Sequence, residues 1–221
     1  MIDQLRNGVE LLRAGEFAYV CGAARTYWRS ESATIGLRHD VSLPFTAPQS
    51  TVLIAVRELH ESDLAFLFAT HGESLSADAM RERAIRLRMA RANLQTCYVA
   101  VNDADQPCYV QWLIGPSEND KIRAIFGGRF PALKPDEMLL EGAFTLEAWR
   151  GKGIMAAAMA QISAKAIDHH ARWVMTFVDS QNIPSLKGCK KSGFEPFIGR
   201  TDRWRAFQHR SYFGPLVPGE P

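Results

Sequence analysis

The sequence predicts a mixed α/β (α+β) domain built on one sheet with helices packed against it. The chain has 221 residues, of which 47% are hydrophobic and 23% charged, so it can bury a core without disulfides or metals. From Thr51 onward, short apolar runs typical of strands alternate with longer segments of helical periodicity. A polar turn at residues 102–105 joins two of those runs into a hairpin. Strands and helices interleaved in this way are typical of mixed sheets.

The first half of this region is predicted to hold three strands and two helices. Residues 51–57 are rich in β-branched side chains and form the first strand. A helix is expected at 61–68, where Ser and Asp precede the apolar residues as capping candidates. A second helix is expected at 76–92. The hairpin strands are 95–101 and 108–114.

The second half continues the alternation, and its longest helix is rich in alanine and free of Gly and Pro after its first residue. A glycine after the last helix is a plausible stop signal. The predicted elements are a short helix at 118–126, a strand at 138–146, a helix at 153–171, a strand at 173–178, a helix at 183–192, and strands at 194–199 and 204–213.

Residues 1–50 differ from the rest and are predicted to be an N-terminal extension of the domain at 51–221. Residues 3–13 have helical periodicity, and residues 17–30 could form one or two strands. Residues 42–48 are predicted to be a linker because they contain two prolines. This helix-plus-strands extension could cap the sheet, extend it, or make the contact of a homodimer.

Charge and composition favour no macromolecular partner. The net charge of +2 is small, whereas a nucleic-acid-binding protein usually has a larger and more clustered excess of basic residues, so we expect no binding of nucleic acid. There is no signal-like N-terminus and no apolar run of about 18 residues, so we expect no membrane and a cytoplasmic location. The four cysteines contain no C-x-x-C pair and the six histidines have no ligand-like spacing, so we expect no metal.

The most informative segment is the turn Arg150-Gly151-Lys152-Gly153 between a strand and a helix. The first turn of a helix has unpaired N–H groups and a positive dipole end, so it can bind phosphate oxygens. Glycines allow close approach of the backbone, and the two basic side chains add charge. The pattern is neither a Walker loop nor a Rossmann fingerprint. The alternative is a tight strand-to-helix turn with solvated basic residues.

These residues resemble the acyl-CoA motif of the GNAT acyltransferases, Q/R-x-x-G-x-G/A, which also follows the fourth core strand and opens a helix. A second resemblance lies in Asn182-Ile183-Pro184-Ser185, followed after a helix by Gly193-Phe194. The resemblance spans roughly residues 51–214. It implies a mostly antiparallel sheet that is splayed between core strands 4 and 5 (residues 138–146 and 173–178), with helices on both faces. It also implies transfer of an acetyl or other short acyl group from acetyl-CoA, or another acyl-CoA, to a primary amine of a small molecule.

The resemblance assigns cofactor-binding roles to residues on three elements. The pantetheine arm would pair with the backbone near the end of the fourth core strand, and the pyrophosphate would bind at the start of the next helix. The implied residues are Phe144, Thr145 and Leu146, then Arg150, Gly151, Lys152, Gly153, Ile154 and Met155, and finally Asn182 and Ser185.

The sequence departs from the family pattern at two positions. Met155 stands where Gly or Ala is usual, and we expect its side chain to point into the core while its amide still donates. Cys189 stands where many members have the tyrosine that protonates the departing thiolate. A thiol with an ordinary pKa of roughly 8.5 could donate a proton, although a small buried cysteine is the other interpretation.

Glu141 is the candidate general base, because it lies in the middle of an otherwise apolar strand. A carboxylate there faces the substrate cleft, or it is an outward-facing residue of a sheet with one wet face. Glu137 and Glu147 are weaker candidates because they lie at strand ends. On the second hairpin strand, either the face with Tyr109 and Gln111 or the face with Val110 and Trp112 could line the acceptor pocket.

The helix at 76–92 carries five arginines, which could favour an anionic acceptor or form a solvated face. They are Arg81, Arg83, Arg86, Arg88 and Arg91. Three other functions stay open: a GNAT-like domain that binds acyl-CoA without transfer, a transferase for longer acyl groups, and a nucleotide-binding protein outside this family.

Overall fold

The computed structural model describes residues 27–68, 85–87, 89–92, 94 and 96–216. The strands are β1 (Arg29–Asp40), β2 (Ala55–Glu58), β3 (Cys97–Val101), β4 (Pro107–Ile114), β5 (Glu137–Thr145), β6 (Trp173–Asp179), β7 (Glu195–Arg205) and β8 (Gln208–Gly214). The helices are α1 (Glu61–Phe68), α2 (Asn119–Phe126), α3 (Ile154–Ala164) and α4 (Ile183–Lys191), and residues 85–87 and 89–91 are also helical. Short 3-10 turns are present at Pro116–Glu118, Glu147–Trp149 and Lys165–His169.

The strands of the described residues all belong to one eight-stranded sheet of order β2-β3-β4-β5-β6-β1-β7-β8. Every neighbouring pair is antiparallel except β5 and β6, which run parallel. These two strands pair only from Glu137 with Trp173 to Leu139 with Met175. Beyond that point they separate, so the predicted mixed, mostly antiparallel and splayed sheet is confirmed.

Helices cover both faces of the sheet, as predicted. Residues of β4 and β5 alternate between two core clusters, because successive side chains of a strand point to opposite faces. Leu140 packs in the cluster that includes Ile162 of α3, whereas Leu139 packs in the cluster that includes Ile122 of α2 and Leu67 of α1. The sheet therefore has a hydrophobic core on each side.

Strand β1 lies between β6 and β7, well inside the sheet. It pairs antiparallel with both neighbours, and four consecutive residues, Thr34 to Leu37, are buried. The sequence analysis assigned these residues to an N-terminal extension, and this part of the extension supplies a central strand. The proposed division at residue 50 stays a prediction, and its predicted helix at 3–13 lies outside the described residues.

Three element boundaries differ from the sequence prediction. The first strand, expected at 51–57, is present only at Ala55–Glu58. The helix expected at 153–171 is α-helical only to Ala164 and continues as a 3-10 turn to His169. The last hairpin turns at Ala206 and Phe207 rather than before Trp204, so β7 is longer than predicted. The two turn residues have φ angles of 48° and 64° without being glycine, and their amides donate to the carbonyls of Trp28 and Tyr27.

Candidate active site

Strand β5 contains a β-bulge next to the point where it separates from β6. Trp112 of β4 pairs with Glu141, and the register then shifts so that Gly142 and Ala143 together oppose one residue of β4. Gly142 has a φ angle of 74°, a left-handed conformation that favours glycine. A β-carbon at Gly142 would also lie 2.8 Å from Cε3 of Trp112. The bulge therefore depends on a glycine at this position.

The guanidinium group of Arg86 holds the carbonyls of the bulge. Its Nε donates to the carbonyl of Gly142 at 3.1 Å, and its Nη2 donates to the carbonyl of Ala143 at 2.8 Å. The same group lies 4.8 Å from the ring centroid of Phe144. Arg86 belongs to the helical residues 85–87, so this contact links that helical segment to the splayed strand.

Two cavities open along the splayed edge of β5. The wider cleft has a volume of about 600 Å³ and reaches the start of α3. The narrow cavity has a volume of about 160 Å³ and lies between β5 and β6. The two cavities adjoin, since both are lined by Arg86, Ala143, Met155, Asn182 and Ser185.

The structure brings most of the predicted site residues to these cavities. Both predicted catalytic residues, Glu141 and Cys189, line the narrow cavity. The predicted cofactor-binding residues that line the wide cleft are Phe144, Thr145, Arg150, Gly151, Gly153, Ile154, Met155, Asn182 and Ser185.

Leu146 and Lys152 do not line either cavity. The amide of Leu146 donates to the carbonyl of Cys108 at 3.1 Å, which ties the end of β5 back to β4. The carbonyl of Lys152 accepts from the amide of Thr51 at 2.9 Å, and its ammonium lies 4.6 Å from the ring centroid of Trp149. The contacts of these two residues are therefore with neighbouring parts of the protein, on either side of the turn at residues 150–153.

The turn before α3 has the geometry of an anion site. Gly151 and Gly153 both have φ angles of 76°, and Gly153 is the N-cap residue of α3. The first helical hydrogen bond joins the amide of Ala157 to the carbonyl of Gly153 at 3.2 Å. The amides before Ala157 have no helical acceptor and form the positive end of the helix dipole. Arg150 lies beside them, and its Nε donates to the carbonyl of Thr145 at 3.2 Å.

Helix α4 supplies the opposite wall of the wide cleft. Asn182 is its N-cap, and the side-chain carbonyl of Asn182 accepts from the amide of Ser185 at 3.2 Å. The N-x-x-S pattern identified in the sequence therefore forms the N-terminal cap of α4. The Met155 side chain, which was expected to point into the core, packs against the core and also lines both cavities. It contacts Gly188 of α4, where a β-carbon would lie 3.2 Å from Sδ of Met155.

Glu141 is half-buried, and burial raises the pKa of its carboxyl group. The amide of Gly142 and the positive charges of Arg86, Arg200 and Arg129 act in the opposite direction, but burial is the larger effect. A carboxyl group with a raised pKa is a stronger base than an ordinary glutamate once it is ionised. This position suits a general base.

Cys189 is fully buried, and burial raises the pKa of its thiol to about 12. Tyr109 is also fully buried, and its hydroxyl donates to the side-chain carbonyl of Gln111. Burial raises the pKa of Tyr109 well above its ordinary value. Tyr109 lines the wide cleft and Gln111 the narrow cavity, so this face of β4, rather than the Val110–Trp112 face, borders the site.

Sequence reasoning missed the roles of Gly142 and Arg86. A glycine inside an apolar strand is a signal for a bulge, and that signal was present in the sequence. Nothing local distinguishes Arg86 from the other arginines of its helix, of which Arg91 is exposed and Arg81, Arg83 and Arg88 lie outside the described residues.

Among the helices that the structure describes, none has the length and the apolar content that a membrane-spanning helix requires. No cluster of three or more His, Cys, Asp or Glu side chains in the described ranges could hold a metal ion. The expectations of no metal, no nucleic acid, no membrane contact and a homodimer stay predictions.

Comparison with known proteins places these features in a family context. The model of the acetyltransferase (GNAT) family matches residues 73–194, more than half of the chain. No curated protein matches the sequence. Among solved structures, a functionally unknown conserved protein from Staphylococcus epidermidis ATCC 12228 is 10% identical with a TM-score of 0.51, over 85% of this chain and 67% of the other.

Two further solved structures are GNAT acetyltransferases by description. An acetyltransferase from Colwellia psychrerythraea is 11% identical with a TM-score of 0.49, over 91% of this chain and 62% of the other. A GCN5-related N-acetyltransferase from Sphaerobacter thermophilus is 12% identical with a TM-score of 0.48, over 90% of this chain and 56% of the other. The chain thus spans less than two thirds of the length of either protein.

Proposed function

This chain belongs to the acetyltransferase (GNAT) family, and we propose that it transfers an acetyl or other short acyl group from acyl-CoA to a primary amine of a small molecule. One observation carries the proposal. The glycine turn that opens α3 and the half-buried carboxyl group of Glu141 lie along one continuous pair of cavities, at the splayed edge of β5. This arrangement supports the proposal because a candidate phosphate-binding end and a candidate general base lie along connected cavities.

The wide cleft is suited to the CoA part of the donor. The pyrophosphate would bind the free amides between Gly151 and Met155, with Arg150 beside them. The pantetheine arm would follow the edge of β5 that faces β6, from Thr145 to Ala143. The pairing of β5 with β6 ends at Leu139, while the opposite edge of β5 stays paired with β4. The thioester would then reach the junction of the two cavities.

Glu141 is the proposed general base. An alkylamine carries a proton at neutral pH, because its pKa is roughly 10. The carboxylate of Glu141, directly or through a water molecule, would take that proton, and the neutral amine nitrogen would attack the thioester carbonyl. The C–N bond forms, the C–S bond breaks, and the CoA thiolate leaves.

Cys189 is proposed to donate a hydrogen bond to the departing sulfur. Its thiol stays protonated because burial raises its pKa to about 12. Full transfer of that proton to a thiolate of pKa roughly 8.5 is unfavourable. The proton on the product thiol would then come from the solvent or from the amine, while the thiol of Cys189 stabilises the negative charge.

The second candidate function is acyl-CoA binding without transfer. The specific observation that favours it is the high pKa of Cys189, which is a weak acid at the position where many family members have a tyrosine. In that case the carboxyl group of Glu141 would have no substrate proton to remove, and its charge would be unrelated to turnover.

Acyl transfer to a panel of primary amines tests the proposal, with release of free CoA thiol as the readout. Binding of acetyl-CoA is measured on the same protein by calorimetry. Amine-dependent thiol release that Glu141→Gln abolishes, with acetyl-CoA binding retained, supports the transferase. Tight binding of acetyl-CoA without thiol release for any amine supports the binding protein instead.

A further inference from the structure

The two cavities of the site meet at a side chain that the family pattern does not lead one to expect. Met155 stands at the position where the motif has Gly or Ala, in the first turn of α3. It is half-buried and lines both the wide cleft and the narrow cavity. A long thioether side chain therefore lies at the boundary through which an acyl group must approach Glu141.

Gly188 of α4 provides the surface against which this side chain rests. A β-carbon at Gly188 would lie 3.2 Å from Sδ and 3.3 Å from Cε of Met155, closer than an ordinary contact. Gly188 itself lines only the wide cleft. The absence of a side chain at position 188 therefore lets Met155 lie against the backbone of α4, and a larger residue there would move the thioether.

The narrow cavity is the smaller of the two. Its volume is about 160 Å³, against about 600 Å³ for the wide cleft. It would have to receive both the thioester carbonyl and the attacking nitrogen. A cavity of that volume holds about one benzene-sized group. The further methylene groups of a longer acyl chain would compete for that space with the Met155 side chain, which lines both cavities.

We propose that Met155, held against Gly188, limits the length of the acyl group that this site accepts, so that acetyl-CoA is preferred over longer acyl-CoAs. This inference rests on the proposed acyl-CoA site. A hydrophobic site discriminates one methylene group by roughly tenfold to two-hundredfold. Methionine is flexible, so the limit is a graded preference rather than an absolute barrier.

Binding of acetyl-CoA, butyryl-CoA and hexanoyl-CoA to four proteins tests the inference by calorimetry, and turnover of the same donors is measured in parallel. The proteins are the wild type, Met155→Ala, Met155→Leu and the double variant Met155→Ala/Gly188→Ala. Met155→Leu is the matched control, because it keeps nearly the same volume.

We expect the wild type and Met155→Leu to bind acetyl-CoA at least about tenfold more tightly than hexanoyl-CoA. Met155→Ala should reduce that ratio to about threefold or less, and the double variant should behave like Met155→Ala because the methyl group at 188 no longer meets a thioether. Equal affinity of the wild type for all three donors, or an unchanged ratio in Met155→Ala, overturns the inference.

The two proposals fail in different ways. A change of the ratio in Met155→Ala without acyl transfer by any protein leaves the size limit in place and removes the transferase. Acyl transfer with an unchanged ratio removes the size limit alone. If none of the three donors binds the wild type, both proposals are overturned.

Discussion

Arg86 is bound to Ala143 across 57 residues of sequence, with its Nη2 2.8 Å from the carbonyl oxygen of that residue. A second hydrogen bond joins its Nε to the carbonyl of Gly142 at 3.1 Å. The two carbonyls belong to the bulge that follows Glu141. The guanidinium group therefore fixes the backbone on which the proposed base and the pantetheine-binding edge both depend.

Replacing Arg86 tests this positioning role. We expect Arg86→Lys to lower kcat/KM by roughly tenfold or more. Hydrogen bonds from a charged group contribute about 1.5–3 kcal/mol, and an ammonium group cannot donate to both carbonyls in the planar geometry of a guanidinium group. Arg86→Met keeps part of the packing on Phe144 but loses both hydrogen bonds, so its kcat/KM should fall at least as far as that of Arg86→Lys. Steady-state kinetics and thermal melting check the prediction. Values of kcat/KM within twofold of the wild type for both variants would contradict it.

The pH dependence of transfer should report Glu141. The base acts when it is ionised, so activity falls as the pH drops through its pKa, which burial raises above the ordinary value of 4.5. We expect an acidic limb of kcat/KM above that value. Glu141→Gln should remove the limb and lower the rate by roughly 10²–10⁴-fold.

The same shift has a consequence for stability. A carboxyl group whose pKa is raised on folding favours the folded state when it is protonated. That contribution is fully present below the pKa of the unfolded chain and is lost as the pH rises through the raised pKa of the folded protein. Glu141→Gln should therefore not lose stability at neutral pH.

For the kinetic prediction, the contradicting result is an acidic limb of kcat/KM that survives in Glu141→Gln, because that limb would then belong to another group.

Gly142→Ala should destabilise the protein, because the φ angle of 74° is unfavourable for alanine and the new β-carbon would lie 2.8 Å from Cε3 of Trp112. The left-handed conformation costs about 1–2 kcal/mol, and overpacking adds about 1–3 kcal/mol. Gly128→Ala is the matched control, because Gly128 has a φ angle of 76° and no atom within 4 Å of its β-carbon position. Denaturant unfolding should show a larger loss for Gly142→Ala. Equal losses would mean that the contact with Trp112 is readily relieved.

Variants of Cys189 separate a hydrogen-bond donor from a packing residue. Cys189→Ser keeps a donor, so we expect its kcat to stay within several-fold of the wild type. Cys189→Ala removes the donor and should lower kcat by roughly tenfold, because a hydrogen bond to a charged group contributes about 1.5–3 kcal/mol. The readout is kcat at saturating donor, with melting temperatures to follow the packing. Equal kcat values for the two variants would remove Cys189 from the reaction.

Local sequence signals predicted most of the elements after Thr51. Strand and helix periodicity, the polar hairpin turn and the stop at Gly193 are local features, and each is matched by an observed element. The glycine turn before α3 was identified for the same reason, since residues 150–153 carry both their charge and their backbone freedom in four consecutive positions. The separation of β5 from β6 was predicted from the family resemblance and not from a local pattern.

Features that depend on distant contacts were not predicted. Strand β1 is buried by pairing with β6 and β7, whose residues follow it by more than 130 positions, and no local pattern specifies those partners. The hydrogen bonds of Arg86 to the bulge also depend on tertiary placement. The turn at Ala206 and Phe207 lacks the glycine or asparagine that usually signals such a turn. It is stabilised instead by hydrogen bonds from its two amides to the backbone carbonyls of Trp28 and Tyr27, which are distant in sequence.

Binding of acetyl-CoA to Gly153→Glu and Gly153→Gln, measured by calorimetry, tests the central claim most directly. A β-carbon at Gly153 would be 3.5 Å from its nearest neighbours, an ordinary contact distance, and both variants share the strain of the φ angle of 76°. They differ only in a negative charge at the proposed pyrophosphate site. We expect the wild type to bind, Gly153→Gln to bind more weakly, and folded Gly153→Glu to bind at least about tenfold more weakly than Gly153→Gln. Equal affinities for the two variants, or no binding of acetyl-CoA to the wild type, would contradict an acyl-CoA site at the start of α3.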